Sequence, residues 1–551
     1  MDAQPTKPTA ARPPGSTTAP PRLAEPIRTA EPPAHASRLS TWLLLVLCTF
    51  AALPAMLVEI GEPAVFDPQE AATLRRSIDT WNHYAREAEG NNDSIWQVTA
   101  DRLVPYRDQT PQLVEPPAMV WGHEAVFALA GPEPIESAQT IESNIVRVRL
   151  VSVLFGLLTI AGAFWAGYSL AGTRAAAFAA LICAANGVLI YHARLAAEPI
   201  VYCGLAMLAI AAGMWAMRPL RPYASVVRQV IGWIICGLAL GAATLTVGPT
   251  AGPAITFPMM MMVLLCPHRV ANMLGLVAAH AIAALVLVPW ALQVHTHQPD
   301  IYLAWLQQLW PADGSLMGMF EQLQRRARVA LLLLLPWTIW LIGALAQPFS
   351  ASSAGVRQRP FIAFGWFLTT ALILLLMPSP TPAGSIVRND LAQMLLLVPV
   401  ASVLIGEMFN HYTDLADSGR YPRIWRVLRW PHLLLLVALS LGAAGLFYLQ
   451  QTIVEQGWLS EAIVSNPGLA FWIGLGIVLI AMIGLSVRYA RQEYPARALV
   501  CWSVWSIVLA SVLWIPMTRS PMMQRSVLPS MVAGPMTQHS TPAMTPESRE
   551  R

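Results

Sequence analysis

The chain has 551 residues, 55% of them hydrophobic and only 12% charged, with a mean hydropathy of +0.50. A soluble domain carries roughly 25% charged residues, so this composition excludes a water-solvated shell around a single core and points to a chain solvated by lipid. The formal charge of +4 is too small, and too little interleaved with aromatics, for a nucleic-acid partner.

Two further counts narrow the chemistry. Lys7 is the only lysine, so any site needing a fixed cation must use arginine. The six cysteines (Cys48, Cys183, Cys203, Cys236, Cys266 and Cys501) lie in or beside apolar runs without CxxC spacing. They read as small buried hydrophobes rather than as a disulfide or metal framework.

Residues 1–38 are rich in Pro, Thr, Ala and Arg and show no apolar periodicity. Such a stretch buries too little surface to offset its ordering entropy, so a disordered cytoplasmic tail is expected. The apolar run near 40–58 has no clear cleavage site and reads as a signal-anchor helix. A helix needs about 20 apolar residues to cross the hydrocarbon layer. Further segments of that kind fall near 149–170, 174–191, 199–217, 229–247, 250–266, 270–293, 328–347, 360–377, 391–409, 431–449, 469–487 and 498–515. The expected fold class is therefore an all-α integral membrane protein with about thirteen transmembrane helices. A second disordered tail is expected over 516–551.

Arginine placement sets the expected orientation. With the N-terminus inside, the even-numbered loops hold Arg174, Arg218, Arg221, Arg228, Arg269, Arg357 and Arg359, followed by Arg420–Arg429 and Arg488–Arg497, as the positive-inside rule asks. The first outer loop, 59–148, is too long for a plain connector. It contains amphipathic pieces at Ala71–Ile78 and Ala118–Ala130, expected as short juxtamembrane helices along the membrane surface.

Four polar features fall on that outer side. They are Phe66-Asp67-Pro68-Gln69-Glu70-Ala71 after the first span, and Glu115-Pro116-Pro117 followed by Met119-Val120-Trp121. The third is Arg194 through Glu198-Pro199, between spans three and four. The fourth is Thr244-Leu245-Thr246-Val247-Gly248-Pro249, at the end of span five. Charges kept at such a boundary are costly and usually functional.

Taken in order, and with Val288-Pro289-Trp290 and Leu335-Pro336-Trp337, these segments resemble the bacterial lipid-linked glycosyltransferases of the GT-C fold, of the aminoarabinose-transferase and protein-mannosyltransferase type. In that family an Asp-Glu pair opens the first outer loop and runs on as Tyr-Ala-x-Ile-x-Arg; Asp67, Ala72, Leu74 and Arg76 fall in step with it. Lys-Pro-Pro-Leu-x-x-Trp resembles Glu115–Trp121, Leu-Thr-Lys-Gly-Pro resembles Leu245–Pro249, and Gly-Arg-x-x-x-x-Asp resembles Ala193–Glu198. The resemblance covers roughly residues 40–410. It implies a GT-C-like module over 39–410 that includes the loop 59–148, with further transmembrane helices over 411–515. The chain departs from the pattern at Pro68, Glu70, Glu115 and Val247, where the family has an acid, an arginine and two lysines.

The resemblance also implies a function: transfer of a sugar from a polyprenyl-phosphate donor to a lipid, glycan or protein acceptor on the outer face of a bacterial inner membrane. Asp67 would then be the catalytic base. Glu70, Glu115, Arg194, Glu198 and Arg388 would bind substrate, with Arg194, Arg388 and Arg325 or Arg326 gripping the phosphate. No cofactor and no metal is called for.

Bland readings stand beside each role. On these, Asp67 would serve only as a helix N-cap, Glu70 as a solvated helix-face acid and Glu115 as a loop acid. Arg194 would be a snorkelling helix anchor and Glu198 a cap for span four. His295 and His297 would need a third ligand to hold a metal, and His280 reads as a packed core histidine. The alternatives to an enzyme are a catalytically silent relative that binds lipid-linked glycan or scaffolds an envelope assembly, and a transporter. A transporter would be expected to show internal repeats and midplane charges, which are not seen in the sequence.

Overall fold

A computed structural model describes residues 38–61, 67–91, 103–107, 110–113, 116–130, 135, 138–217, 225–300, 316–350, 354–377, 393–420, 422–455 and 469–518. The expected tails at 1–37 and 519–551 lie outside the described residues. The chain divides into a small unit, Met1–Leu43, and a large one, Leu44–Arg551. Of the small unit, residues 38–43 open the helix Arg38–Phe50. Everything below concerns the large unit.

Every expected span has a helix or helix pair at its place in the chain. Among the described residues, nine helices are long and apolar enough to cross a membrane, and two bent pairs raise this to eleven. Two expected spans fall outside that test. Ala251–Leu265 is an apolar helix of only 15 residues. Leu397–Asp417 carries Glu407, Asp414 and Asp417 and is buried along most of its length. This is an all-α, multi-pass membrane protein.

The bent pairs correct the expectation of straight spans at 174–191 and 328–347. Thr173–Ala184 turns by 68° into Gly187–Ala193, and Phe320–Leu333 turns by 104° into Thr338–Phe349. A break inside an apolar layer frees backbone groups that water cannot satisfy. Asn186 supplies both partners. Its side-chain oxygen accepts from the Leu189 amide at 2.9 Å, capping the helix that follows, and its amide donates to the Leu333 and Leu335 carbonyls at 2.7 and 3.3 Å. One side chain thus ties the two broken spans together at their breaks. Asn186→Leu loses the cap, at about 1 kcal/mol, and strands buried carbonyls, at about 1–3 kcal/mol. Thermal unfolding of the detergent-solubilised variant is expected to show a clear fall in midpoint; an unchanged midpoint would contradict this account.

The helix Glu198–Met217 lies at the centre, buried along nearly all its length against Ala138–Ala171 and Val226–Val247. Small residues permit that approach: a Cβ on Gly204 would sit 2.7 Å from the Phe155 carbonyl oxygen, and one on Gly162 would sit 2.9 Å from the Met207 Cβ.

The outer segment is built on the helix Pro68–Asn91. Ala71, Leu74, Ile78, Trp81 and Ala85 recur at helical spacing and are buried against Phe127, Ile135, Ile145, Val148 and Ala196. Its polar side chains pin the loops around it. Asn82 exchanges two hydrogen bonds with the Ile135 backbone, Thr80 does the same with Tyr106, and the Tyr84 hydroxyl donates to the Val104 carbonyl. His83 stacks on Tyr106 at 3.8 Å. A two-stranded antiparallel ribbon pairs Tyr106 with Pro111 and Arg107 with Thr110, a small departure from an all-helical expectation. The second expected surface helix forms over Ala118–Ala130.

Candidate functional site

Asp67 immediately precedes Pro68, and proline at the first helical position leaves an acidic N-cap ideally placed. Its Oδ1 accepts the backbone amides of Gln69 at 2.8 Å and Glu70 at 3.1 Å. Its Oδ2 accepts the Tyr191 hydroxyl at 3.0 Å, and the residue is only half-buried. The capping and catalytic readings of Asp67 are therefore compatible. One oxygen holds the helix; the other points to a tyrosine across the site.

Glu70 is not a solvated helix-face acid. It is wholly buried and paired two-pronged with Arg149, Nε to Oε1 at 2.8 Å and Nη2 to Oε2 at 2.9 Å. Oε1 also accepts the Ala196 amide at 2.9 Å, and Arg149 Nη1 donates to the Ile60 carbonyl. With no surface left to meet a ligand, Glu70 joins three segments instead: the end of the first span, the outer helix and the turn before Glu198. The apolar environment explains the geometry, since a buried charge is tolerated only when fully paired.

Arg76 and Glu198 form the second buried pair, Nη2 to Oε1 at 2.6 Å. Beside it His123 hydrogen-bonds Ser77 at 2.9 Å. Burial, with the Arg76 guanidinium adding to it, pushes the His123 imidazole down to about 3. A depressed histidine stays neutral in the fold. Its stabilising contribution is thus complete above pH 6.5 and is lost as pH falls from 6.5 towards 3. The unfolding midpoint is expected to drop across that window, and less steeply in His123→Gln, which keeps a hydrogen-bonding group beside Ser77; identical slopes would remove His123 as the cause.

Arg194 is also buried. It follows the helix Gly187–Ala193, and its terminal nitrogens donate to the Ala55 and Val58 carbonyls at the end of the helix Leu53–Leu57. Its guanidinium lies 4.2 Å from the centre of the Trp514 ring, and Trp514 meets Tyr191 edge-on at 5.9 Å. In this arrangement Arg194 grips the first span rather than standing open to a phosphate. Arg326 is likewise turned to backbone, donating to the Leu374 and Met377 carbonyls.

The first and third sequence features thus meet directly through Glu70 and the Ala196 amide, and two flanking links, Asp67 to Tyr191 and Arg76 to Glu198, join the outer helix to the same turn. The second and fourth meet through apolar contacts, with Leu113, Ala118 and Trp121 packed about Leu245 and Trp290. Gly248 ends the helix Val226–Val247 with φ of +82°, a conformation glycine adopts without strain. Thr250, just beyond, accepts a hydrogen bond from Gln393 at 2.5 Å. Glu115 and Arg388 lie outside the described residues. No group of three potential metal ligands occurs among the described residues; His297 is exposed and bonds its own helix at Gln293, and His280 bonds Thr256 and the Leu276 carbonyl.

Sequence reasoning missed Arg149, Tyr191 and Trp514. Arg149 stands at the head of an apolar run, at the boundary of the span expected near 149–170. Its burial would have been signalled only by the mismatch of a cation and a helix that runs on in both directions.

No family profile matches the chain. It is 29% identical over 160 residues to undecaprenyl phosphate-alpha-4-amino-4-deoxy-L-arabinose arabinosyl transferase 2 of Proteus mirabilis, covering 28% of each chain. It is 27% identical over 293 residues to the corresponding arabinosyl transferase of Pseudomonas aeruginosa, covering 52% of this chain and 48% of that one. The chain therefore spans less than half the length of the curated relatives it matches. The crystal structure of ArnT from Cupriavidus metallidurans in the apo state superposes with a TM-score of 0.56 at 16% identity, over 88% of this chain and 78% of that one. ArnT bound to undecaprenyl phosphate gives 0.54 at 17%, over 86% and 78%. The fold is that of these GT-C transferases.

Proposed function

We propose that the chain is a membrane glycosyltransferase that moves a sugar from a polyprenyl-phosphate donor to an acceptor at the outer face of a bacterial inner membrane, with the N-terminus cytoplasmic. The supporting observation is Asp67. In a fold shared with a transferase that binds undecaprenyl phosphate, this half-buried residue has one carboxylate oxygen fixed by the helix cap and the other beside Tyr191. Such a group can take the proton from an acceptor hydroxyl or amine as that atom attacks the anomeric carbon. The bond from that carbon to the phosphate oxygen then breaks, and the polyprenyl phosphate departs with its charge. The module proposed for this chemistry is 39–410, supported from 411–515; sugar and acceptor follow from the donor that works.

One observation favours the silent relative. Among the described buried arginines, Arg149 and Arg76 are paired with Glu70 and Glu198, and Arg194 and Arg326 with backbone carbonyls. A departing phosphate needs preorganised donors, which the segments around Glu115 and Arg388 would have to help supply. The test is the wild-type chain in proteoliposomes, offered undecaprenyl-phosphate-linked pentoses and hexoses with lipid A and peptide acceptors. Transfer from any donor supports the enzyme. Retention of undecaprenyl phosphate without transfer supports the silent relative, and neither binding nor transfer defeats both.

A further inference from the structure

The stretch that carries the resemblance stops near residue 410, yet one side chain at the site comes from the helix Pro495–Thr518. That helix packs against Leu53–Leu57, Thr173–Ala184, Gly187–Ala193 and Leu397–Asp417. It is fastened partway along by tryptophans. Trp502 stacks with Trp340 at 5.7 Å and lies 4.7 Å from His432, and Trp505 donates its indole N–H to Ser440 at 3.1 Å. Trp340 in turn stacks on Trp425 and meets Phe409 edge-on, so four helices are locked at this level. Twelve residues further along, about 18 Å at 1.5 Å per residue, the same helix presents Trp514.

Trp514 touches Tyr191, which hydrogen-bonds Asp67, and Arg194, which holds the end of the first span. The Arg194 guanidinium rests over its ring, and the Tyr191 ring meets it edge-on. Tyr191 then donates to Asp67 Oδ2, and Arg194 ties the end of the first span at the Ala55 and Val58 carbonyls, the second of them nine residues before Asp67. The indole nitrogen of Trp514 is buried with no hydrogen-bond partner among the described residues. The residue therefore acts through its ring face and edge, not through a donated proton.

We infer that Trp514 is a positioning residue for sugar transfer: by holding Arg194 face-on and Tyr191 edge-on, it fixes the Asp67 carboxylate relative to the reacting centre, and the last described helix thereby completes the site. This rests on the transferase reading above. Misplacing a reacting group by about 1 Å costs about a hundredfold, whereas an aromatic ring of a different kind preserves much of the contact.

The experiment measures transfer from the undecaprenyl-phosphate sugar used by the wild-type chain, in proteoliposomes, for Trp514→Leu, Trp514→Phe and the comparator Trp505→Phe, with undecaprenyl phosphate retention and unfolding midpoints recorded for each. Trp514→Leu is expected to lower kcat by about tenfold to a hundredfold with KM changed by less than about twofold, the split expected when orientation rather than binding is lost. Trp514→Phe is expected to recover most of that loss, and Trp505→Phe to lower the midpoint without changing kcat. Unchanged kcat in Trp514→Leu, a loss confined to KM, or an equal kcat loss in Trp505→Phe overturns the role of Trp514 and leaves the transferase reading intact. A wild type that transfers from no donor, with or without retained undecaprenyl phosphate, overturns the transferase reading and this inference with it.

Discussion

Replacing Asp67 with asparagine is expected to lower sugar transfer by about 10²–10⁴-fold, the usual worth of a general base, while leaving the amount and unfolding midpoint of the protein close to wild type. The substitution separates charge from shape. Asparagine caps helices as well as aspartate does, so its oxygen can still accept the Gln69 and Glu70 amides, and its amide can still meet the Tyr191 oxygen. Only the capacity to take a proton disappears. Asp67→Ala removes the cap as well and is expected to lose about 1 kcal/mol of stability together with transfer. Tyr191→Phe is expected to cost less, about tenfold to a hundredfold, because the base is retained but loses the hydrogen bond that orients its carboxylate. Transfer by Asp67→Asn at the wild-type rate would take Asp67 out of the mechanism and reduce it to its capping role.

The second large effect is structural. Glu70→Ala strands the Arg149 guanidinium in an apolar interior and is expected to cost about 3–5 kcal/mol, as does Arg149→Leu for the opposite reason. Replacing both at once, Glu70→Leu with Arg149→Met, leaves no buried charge and is expected to recover a large share of that loss. Recovery is incomplete, since the double variant removes the partners of both the Ala196 amide and the Ile60 carbonyl. The check is a double-mutant cycle on unfolding midpoints in one detergent. Additive losses would mean that the pair does not act as a unit.

The spans were legible because apolar length is a local property. Thirteen stretches of suitable hydropathy each became a helix or a bent pair, and the amphipathic spacing of Ala71, Leu74 and Ile78 became the buried face of the outer helix. The cap at Asp67 was legible too, since a proline follows it directly. Other features depend on pairs far apart in the chain. Glu70 and Arg149 are 79 residues apart, and Arg76 and Glu198 are 122 apart; no periodicity announces such a pairing, so Glu70 looked like an ordinary surface acid. The bends were half-visible. Asn186-Gly187 and Pro336 mark both breaks, but nothing local says that the asparagine of one reaches the carbonyls of the other. Trp514 was hidden for a third reason: its helix lies beyond the sequence segments, up to about residue 410, that carry the resemblance, so no motif singles it out.

The Asn186 bridge has a consequence for biogenesis. Its amide waits for carbonyls 147 residues downstream, and at translation speeds of about 5–20 residues per second the acceptor leaves the ribosome roughly 7–30 s later. During that interval the early segment sits in the bilayer with an unmatched polar side chain. The sharp elbow between Ala184 and Gly187 is thus completed late, only when the second bent pair arrives to receive it.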